Sequence, residues 1–456
     1  MAVVRLQGAK DRGLCRSPAP DHLWQGRQEA SAPGAVCGQG AEVIFRDHGH
    51  KLAWTVGVLL LANTIGSIDR TALSVLLPQI KSEMHLSDTQ LGLLTGLAFS
   101  AFYAIFGIPL ARIADRGRRP LLIAVTMTFW SLMTAVTGLA QGFAQLIAAR
   151  MLVAIGEAGG VPPSHSLITE LAPEHRRPLA LAIHSAGAPL GALIGLAGGG
   201  ILAAAFGWRI TFVILGFVGL PVALVVLAVI DEPRRNAVVE PIPAASNPSP
   251  LLKSRTFQLL MAGFALGAFA MAGLLQWLPS YFSRAFHMPI SSVGLQFGLS
   301  YGLGSISGML GGGWLATGLM RRDARWALRL ASLPYLAAFL PLLGILLAPD
   351  PRLAMALVFI GTSLASMAYG PAYAMIQTVA PPQLRGLASA ISLFVANLFG
   401  AGLGPLAVGW LSDVFGGDPA GSLRAALIAL FPVLAMPAVL YALASRAYGR
   451  ETIPNS

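Results

Sequence analysis

The chain has 456 residues, of which 55% are hydrophobic and only 11% charged, with a mean hydropathy of +0.68. A soluble domain carries roughly 25% charged residues, so the composition excludes a soluble globular enzyme; apolar runs of about 20 residues or more can each cross roughly 30 Å of hydrocarbon, which makes this a multi-spanning membrane protein. The net charge of +11 falls mostly between those runs, where it reads as membrane topology and not as a nucleic-acid surface.

Residues 1–50 mix Pro, Gly, Ala and both charges, without the apolar core of about 7–15 residues that a signal peptide needs. They are expected to form a disordered cytoplasmic leader. Both cysteines of the chain, Cys15 and Cys37, lie in it, so neither a disulfide framework nor a metal centre is expected, and no cofactor. From Leu52 onward hydropathy and punctuation predict an all-α membrane protein of twelve helical segments: 52–79, 90–111, 120–140, 144–170, 177–205, 209–230, 255–283, 291–319, 325–347, 352–379, 384–412 and 421–445. Between the sixth and seventh, the proline-rich stretch DEPRRNAVVEPIPAASNPSPLLKSR is too polar to span. The expected organisation is therefore a six-helix bundle over 51–230, a cytoplasmic linker over 231–254, a second bundle over 255–446 and a cytoplasmic tail over 447–456.

Lys and Arg in alternate loops divide 17 to 5. That bias places both termini and the linker in the cytoplasm, and the expected location is the inner (plasma) membrane. The two halves also repeat: APEHRRPLALAI from Ala172 matches APPQLRGLASAI from Ala380 at 7 of 12 positions, with an offset of 208. The same offset carries Asp115 onto Asp323. With six helices per half the repeat is parallel, the arrangement in which two bundles rock about a central site.

The loop after segment 2, GIPLARIADRGRRP, resembles the signature loop of the major facilitator superfamily, a small residue followed four positions later by Asp and then by basic residues. Ala111 stands where that pattern has glycine, and one residue is missing before Gly117. Asp115, with Arg116, Arg118 and Arg119, is expected to latch one conformational state by capping a helix end and pairing across the bundle interface. A plain positive-inside loop is the competing account.

Four charges sit inside apolar segments of the first half: Asp69 and Arg70 in segment 1, Arg150 and Glu157 in segment 4. Each costs roughly 2.5–3.5 kcal/mol near the centre of a membrane helix, so they face a cavity or one another. At about 1.5 Å per residue, Asp69 and Arg150 come out at similar depth and can pair. Glu157 lies seven residues after Arg150, on the same helix face and near the midplane, which makes it a second candidate partner for that arginine. Movement of the arginine would then change the protonation of a carboxylate, as proton coupling requires. A purely structural ion pair is the alternative.

The sequences RMLVAIGEAGGVPPSHS from Arg150, NTIGSIDRTALSVLLPQI from Asn63, LSDTQLGLLTGLAFSAFYAIFGIPLARIADR from Leu86 and SLFVANLFGAGLGP from Ser392 are similar to the bacterial spinster-like branch of that superfamily, over about 52–413. The resemblance implies the twelve-helix fold, alternating access, and proton-dependent movement of a lysophospholipid or sphingolipid-like molecule, with Asp69, Arg150 and Glu157 as the coupling residues. Carriers of small organic anions or drugs share parts of these motifs; in such a carrier Arg150 would anchor a carboxylate. A non-transporting membrane sensor is a third reading.

The remaining candidates are weaker. Gly187, Gly191 and Gly195 recur every fourth residue, as close helix packing requires, and Pro162, Pro163, Pro371 and Pro405 are expected to kink their helices. Asn63, His184, Trp277, Tyr281, Tyr369, Tyr373, Phe394 and Asn397 are the expected substrate-cavity residues, with Phe264 and Phe269 beside them; a charged first half facing an aromatic second half suits an amphipathic molecule. The expected partners are that substrate, protons and membrane lipids, without nucleic acid, and the expected state is a monomer.

Overall fold

The computed structural model describes residues 38–173, 176–232, 249–320, 325–381 and 384–451, with side chains from Lys51 onward apart from those at 115, 116, 178, 250, 317, 320, 325 and 386. Residues 49–456 make one compact unit and residues 1–48 another. Most of the expected leader, and the linker from 233 to 248, lie outside the described residues. The helix holding the first span begins at Gly38 rather than near Leu52. No proline interrupts the sequence between Pro33 and Pro78, so nothing stops the helix from propagating through the end of the leader.

Every described element is helical. Ten stretches are long and apolar enough to cross a membrane, and one of these, 179–229, is twice the needed length. It turns at Gly207, whose φ of 77° is in the left-handed region that glycine enters without strain, and so makes two crossings. The uncharged helix Ile290–Met320 adds another, which brings the crossings to twelve among the described residues, as the hydropathy predicted.

The spans are named α1 to α12. The first bundle holds α1 (Gly38–Met84), α2 (Asp88–Thr95 and Leu97–Arg116), α3 (Arg119–Thr137), α4 (Phe143–Glu157 and Val161–Leu171), α5 (177–206) and α6 (208–229). The second holds α7 (Arg255–Ala285), α8 (Ile290–Met320), α9 (Arg325–Leu347), α10 (Pro351–Met367 and Tyr369–Val379), α11 (Arg385–Phe415) and α12 (Pro419–Ile428 and Phe431–Glu451). The breaks fall where the sequence punctuates. The second part of α4 starts with Pro162 and Pro163 in its first turn, and α11 passes through a π-helical segment, Ala396–Leu403, before resuming with Pro405. Glycine spacing on α5 sets its approach to α1: a methyl group at Gly187 would lie 2.8 Å from the Leu60 carbonyl oxygen, and one at Gly195 2.7 Å from that of Ile68.

The two ends of the molecule differ. At the terminal face, where Glu451 of α12 accepts hydrogen bonds from the start of α7, each bundle has its own apolar core, one built from residues 56–230 and the other from 251–444. At the distal end a single core runs through both bundles, from Leu73 and Leu76 to Trp277, Val293 and Leu427. The hydrogen bonds that join the bundles among the described residues all lie at this distal end. The molecule is therefore closed distally and parted at the terminal face.

Candidate functional site

Two cavities adjoin at the centre. The larger, about 340 Å³, lies between the bundles. Its first-bundle wall carries Arg70, Thr71 and Ser74 of α1, Thr95, Phe99, Ser100 and Tyr103 of α2, Arg150 of α4 and Leu196 of α5. Its second-bundle wall has no charge: Ala272, Leu275 and Gln276 of α7, Phe297 and Tyr301 of α8, and Asn397, Ala401 and Pro405 of α11. The volume is that of a small-molecule site. The smaller cavity, about 20 Å³, lies inside the first bundle and is lined by Asn63, Gly66, Arg70, Glu157, Ser164 and His184, among others. Arg70 lines both.

The four charges within the spans form two pairs. Arg150 Nη1 donates to Asp69 Oδ2 at 3.2 Å, and the same carboxylate oxygen accepts from Thr134 Oγ1 at 3.0 Å. The Arg150 guanidinium lies over the Phe99 ring, 5.3 Å from its centre, and its Nε has no hydrogen-bond partner among the described residues. Glu157 does not take Arg150 as its partner. It pairs with Arg70 of α1, through Oε2, while its Oε1 has no hydrogen-bond partner. This corrects the expectation that Arg150 serves both acids. Seven residues along one helix put Arg150 and Glu157 on one face but about 10 Å apart in height, whereas Arg70 reaches Glu157 from the adjacent helix. Arg70 is thus the site residue the sequence reading passed over, although the Asp-Arg pair in α1 marked it.

The expected cavity residues separate. Asn397 lines the large cavity. Asn63 and His184 line the small one, where the Asn63 amide donates to the His184 carbonyl at 2.9 Å. Trp277 and Tyr281 are packing residues and not cavity residues: Trp277 is wholly buried, with Nε1 donating to the Pro405 carbonyl at 2.9 Å, and the Tyr281 hydroxyl donates to the Leu346 carbonyl at 3.2 Å. Both occupy the side of α7 that faces the shared distal core. Tyr369 and Tyr373 stack on one another, with Tyr369 against Phe264; neither they nor Phe394 line the central cavity. Conversely Phe99, Tyr103, Gln276 and Tyr301, which do line it, carried no sequence signal beyond ordinary core spacing.

Of the expected latch, the side chains of Asp115 and Arg116 lie outside the described residues, as does Asp323. Arg118 is exposed. Arg119 is fully buried, but inside its own bundle: it donates to Glu170 at 2.9 Å, to Glu232 at 2.5 Å and to Ser166 at 3.0 Å. It ties α3 to the ends of α4 and α6 and does not bridge the bundles, a correction that follows from its place at the first turn of α3, facing inward. The contact that does bridge them is distal. Asp88, at the start of α2, accepts both Arg284 Nη1 and Nη2 at 2.7 Å, Lys81 at 2.6 Å and Ser412 Oγ at 2.8 Å. Asp413 of α11 accepts from the Asp88 and Thr89 backbone N–H groups at 3.0 and 2.7 Å and so caps α2 from the other bundle.

Comparison with known proteins agrees with this architecture. The family model for the Major Facilitator Superfamily matches residues 59–405. An MFS-type efflux pump of Mycolicibacterium smegmatis is 35% identical over 90% of this chain and 96% of its own length. A hexuronate transporter of Bacillus subtilis is 28% identical over 83% of the chain and 92% of its own, and protein spinster homolog 1 of Xenopus tropicalis 26% over 84% and 79%. Among solved structures, a bacterial homolog of the human lysosomal transporter spinster, inward-facing and unoccupied, superposes with a TM-score of 0.80 at 27% identity, covering 89% of this chain and 99% of that one. With two six-helix bundles, a central cavity closed at one end and these relatives, the chain belongs to the Major Facilitator Superfamily and is a secondary transporter that works by alternating access.

Proposed function

We propose that the chain is a proton-coupled transporter of an amphipathic lipid with an anionic head, a lysophospholipid or a sphingolipid-like molecule, acting as a monomer in the inner membrane with both termini cytoplasmic. The observation that carries this reading is the double position of Arg70, paired with Glu157 in the small cavity and lining the large one. Protonating Glu157 removes the anion that holds Arg70 and leaves the guanidinium to an anionic head in the large cavity. Proton and substrate then favour each other's binding, which is the coupling a carrier needs. Asp69 keeps Arg150 in place beside them. The lipid's acyl tail has the uncharged wall of Leu275, Phe297 and Ala401 to lie against. The orientation rests on the excess of Lys and Arg in the loops of the terminal face.

A second reading is a carrier of small organic anions or drugs. The unpartnered Nε of Arg150 at the cavity wall favours it, since a carboxylate would satisfy that donor. Proteoliposomes with an imposed pH gradient separate the two. Labelled lysophosphatidylglycerol should move with the gradient and glucuronate should not; movement of glucuronate alone would establish the small-anion carrier, and movement of neither under any gradient would remove the transport reading of this cavity.

A further inference from the structure

The small cavity contains more than the ion pair. Its roughly 20 Å³ is room for one water molecule. Two of its lining residues each present a buried polar atom with no hydrogen-bond partner, Oε1 of Glu157 and Nδ1 of His184. Glu157 and His184 are 4% and 2% exposed, so neither atom can be satisfied by bulk solvent, and a buried polar atom left unpaired is costly. One water accepting from or donating to both would satisfy them together. Beside His184, His165 of α4 meets its ring edge-on, with centroids 5.0 Å apart. His165 is only half-buried and lies one and a half turns from the end of α4.

We propose that this water, His184 and His165 form the proton path between Glu157 and the terminal face. The inference rests on the reading of Glu157 as the coupling acid. In the release step, toward the terminal face, Glu157 gives its proton to the water through Oε1 as the water passes one of its own protons to Nδ1 of His184. The imidazolium then releases its Nε2 proton toward His165, so charge and protons balance at each transfer and no other reactant enters. Arg70 of α1 and Ser164 of α4 line the cavity with Glu157 and His184, and the charges of Asp69 and Arg150 and the Tyr103 hydroxyl surround Glu157 at longer range. Arg70 holds the other carboxylate oxygen of Glu157, so the free one alone faces the water. The Asn63 bond goes to the backbone carbonyl of His184, which leaves the ring free to exchange protons while its helix stays fixed.

The test is the rate at which Glu157 gains a proton after a pH jump on the terminal side, read in reconstituted protein from the infrared band of the protonated carboxyl, which Glu157→Gln must abolish. His184→Gln keeps a polar group for the water but cannot carry a proton, and His184→Phe keeps the ring volume. Both should slow protonation by about a hundredfold, the lower end of what a positioned proton carrier contributes, while the equilibrium titration of Glu157 is unchanged. An unchanged rate in both variants overturns the path, as does slowing that comes with a shifted equilibrium titration of Glu157, which would leave His184 a packing role. If the band persists in Glu157→Gln, the coupling assignment to Glu157 itself fails, an outcome separate from the failure of the relay.

Discussion

Arg70 is held by one bond to an acid that needs it and stands at the edge of a cavity that can use it. Glu157→Gln is therefore expected to leave the fold intact, since the amide has the same shape, and to fix the protein in its proton-loaded form. Binding of lysophosphatidylglycerol to the wild type should tighten as pH falls, by at most about tenfold per pH unit for a single linked proton, whereas in Glu157→Gln it should be tight and flat across pH; a pH slope equal to wild type would move the coupling role elsewhere. Arg70→Ala strips Glu157 of its cation in a buried setting, a loss of about 3–5 kcal/mol when the acid is charged. Because protonating Glu157 relieves that penalty, the fall in melting temperature should be large at high pH and shrink as pH falls. A deficit independent of pH would mean that the pair contributes only packing. At this scale the sequence carried the four buried charges, because no lipid-facing helix tolerates them. It did not carry their partners: Glu157 shares a helix face with Arg150, and only the distance across to α1 decides that Arg70 takes it.

Helix packing is written in small residues. Gly187, Gly191 and Gly195 recur at the spacing of one helix face, and α5 lies against α1 so closely there that a side chain at Gly195 would meet the Thr71 hydroxyl and the Ile68 carbonyl. Gly195→Val is expected to destabilise the first bundle by roughly 1–3 kcal/mol through overpacking. Gly198 on the same helix has open space around it, and Gly198→Ala should be neutral or slightly stabilising. Melting temperatures of the two variants in detergent test the contrast; equal effects would mean that the repeat does not report the α1 contact. The proline positions were equally legible as breaks in α4 and α10. The turn at Gly207 lay in the punctuation between two predicted segments, but the π-helical stretch of α11 beside the cavity was not readable, since it depends on what packs around the helix and not on its own residues.

Across the whole molecule, the distal contact is what distinguishes this state. Asp88 gathers Arg284, Lys81 and Ser412, and Asp413 caps the helix that Asp88 begins, so two acids, one from each bundle, hold the end shut. Asp88→Asn keeps the hydroxyl contact but leaves Lys81 and Arg284 without their anion, and should shift the population toward the distally open state by about 1–3 kcal/mol. With Cys15 and Cys37 replaced, a probe cysteine at Ala272 on the cavity wall should react faster from the distal side in Asp88→Asn than in the parent. Equal rates would assign the closure to the shared apolar core alone. The sequence reading placed its latch at the opposite end, on Asp115, whose side chain lies outside the described residues; the distal acids carried only the signal of a helix start, Ser87 and Gln90 forming a capping box around Asp88.

By itself the sequence determined that the protein lives in a membrane, crosses it twelve times in two repeated halves, and concentrates its buried charge in the first half. Those are properties of runs: hydropathy, charge bias and repeat offset accumulate along the chain, and each residue contributes regardless of what lies across from it. Only the tertiary structure decided which acid each arginine takes, that Trp277 and Tyr281 pack inside the fold while Phe99, Tyr103, Gln276 and Tyr301 line the cavity, and which end is closed. Each of these turns on lateral distances of a few ångströms between helices remote in sequence, set by small residues, helix breaks and the relative tilt of the two bundles.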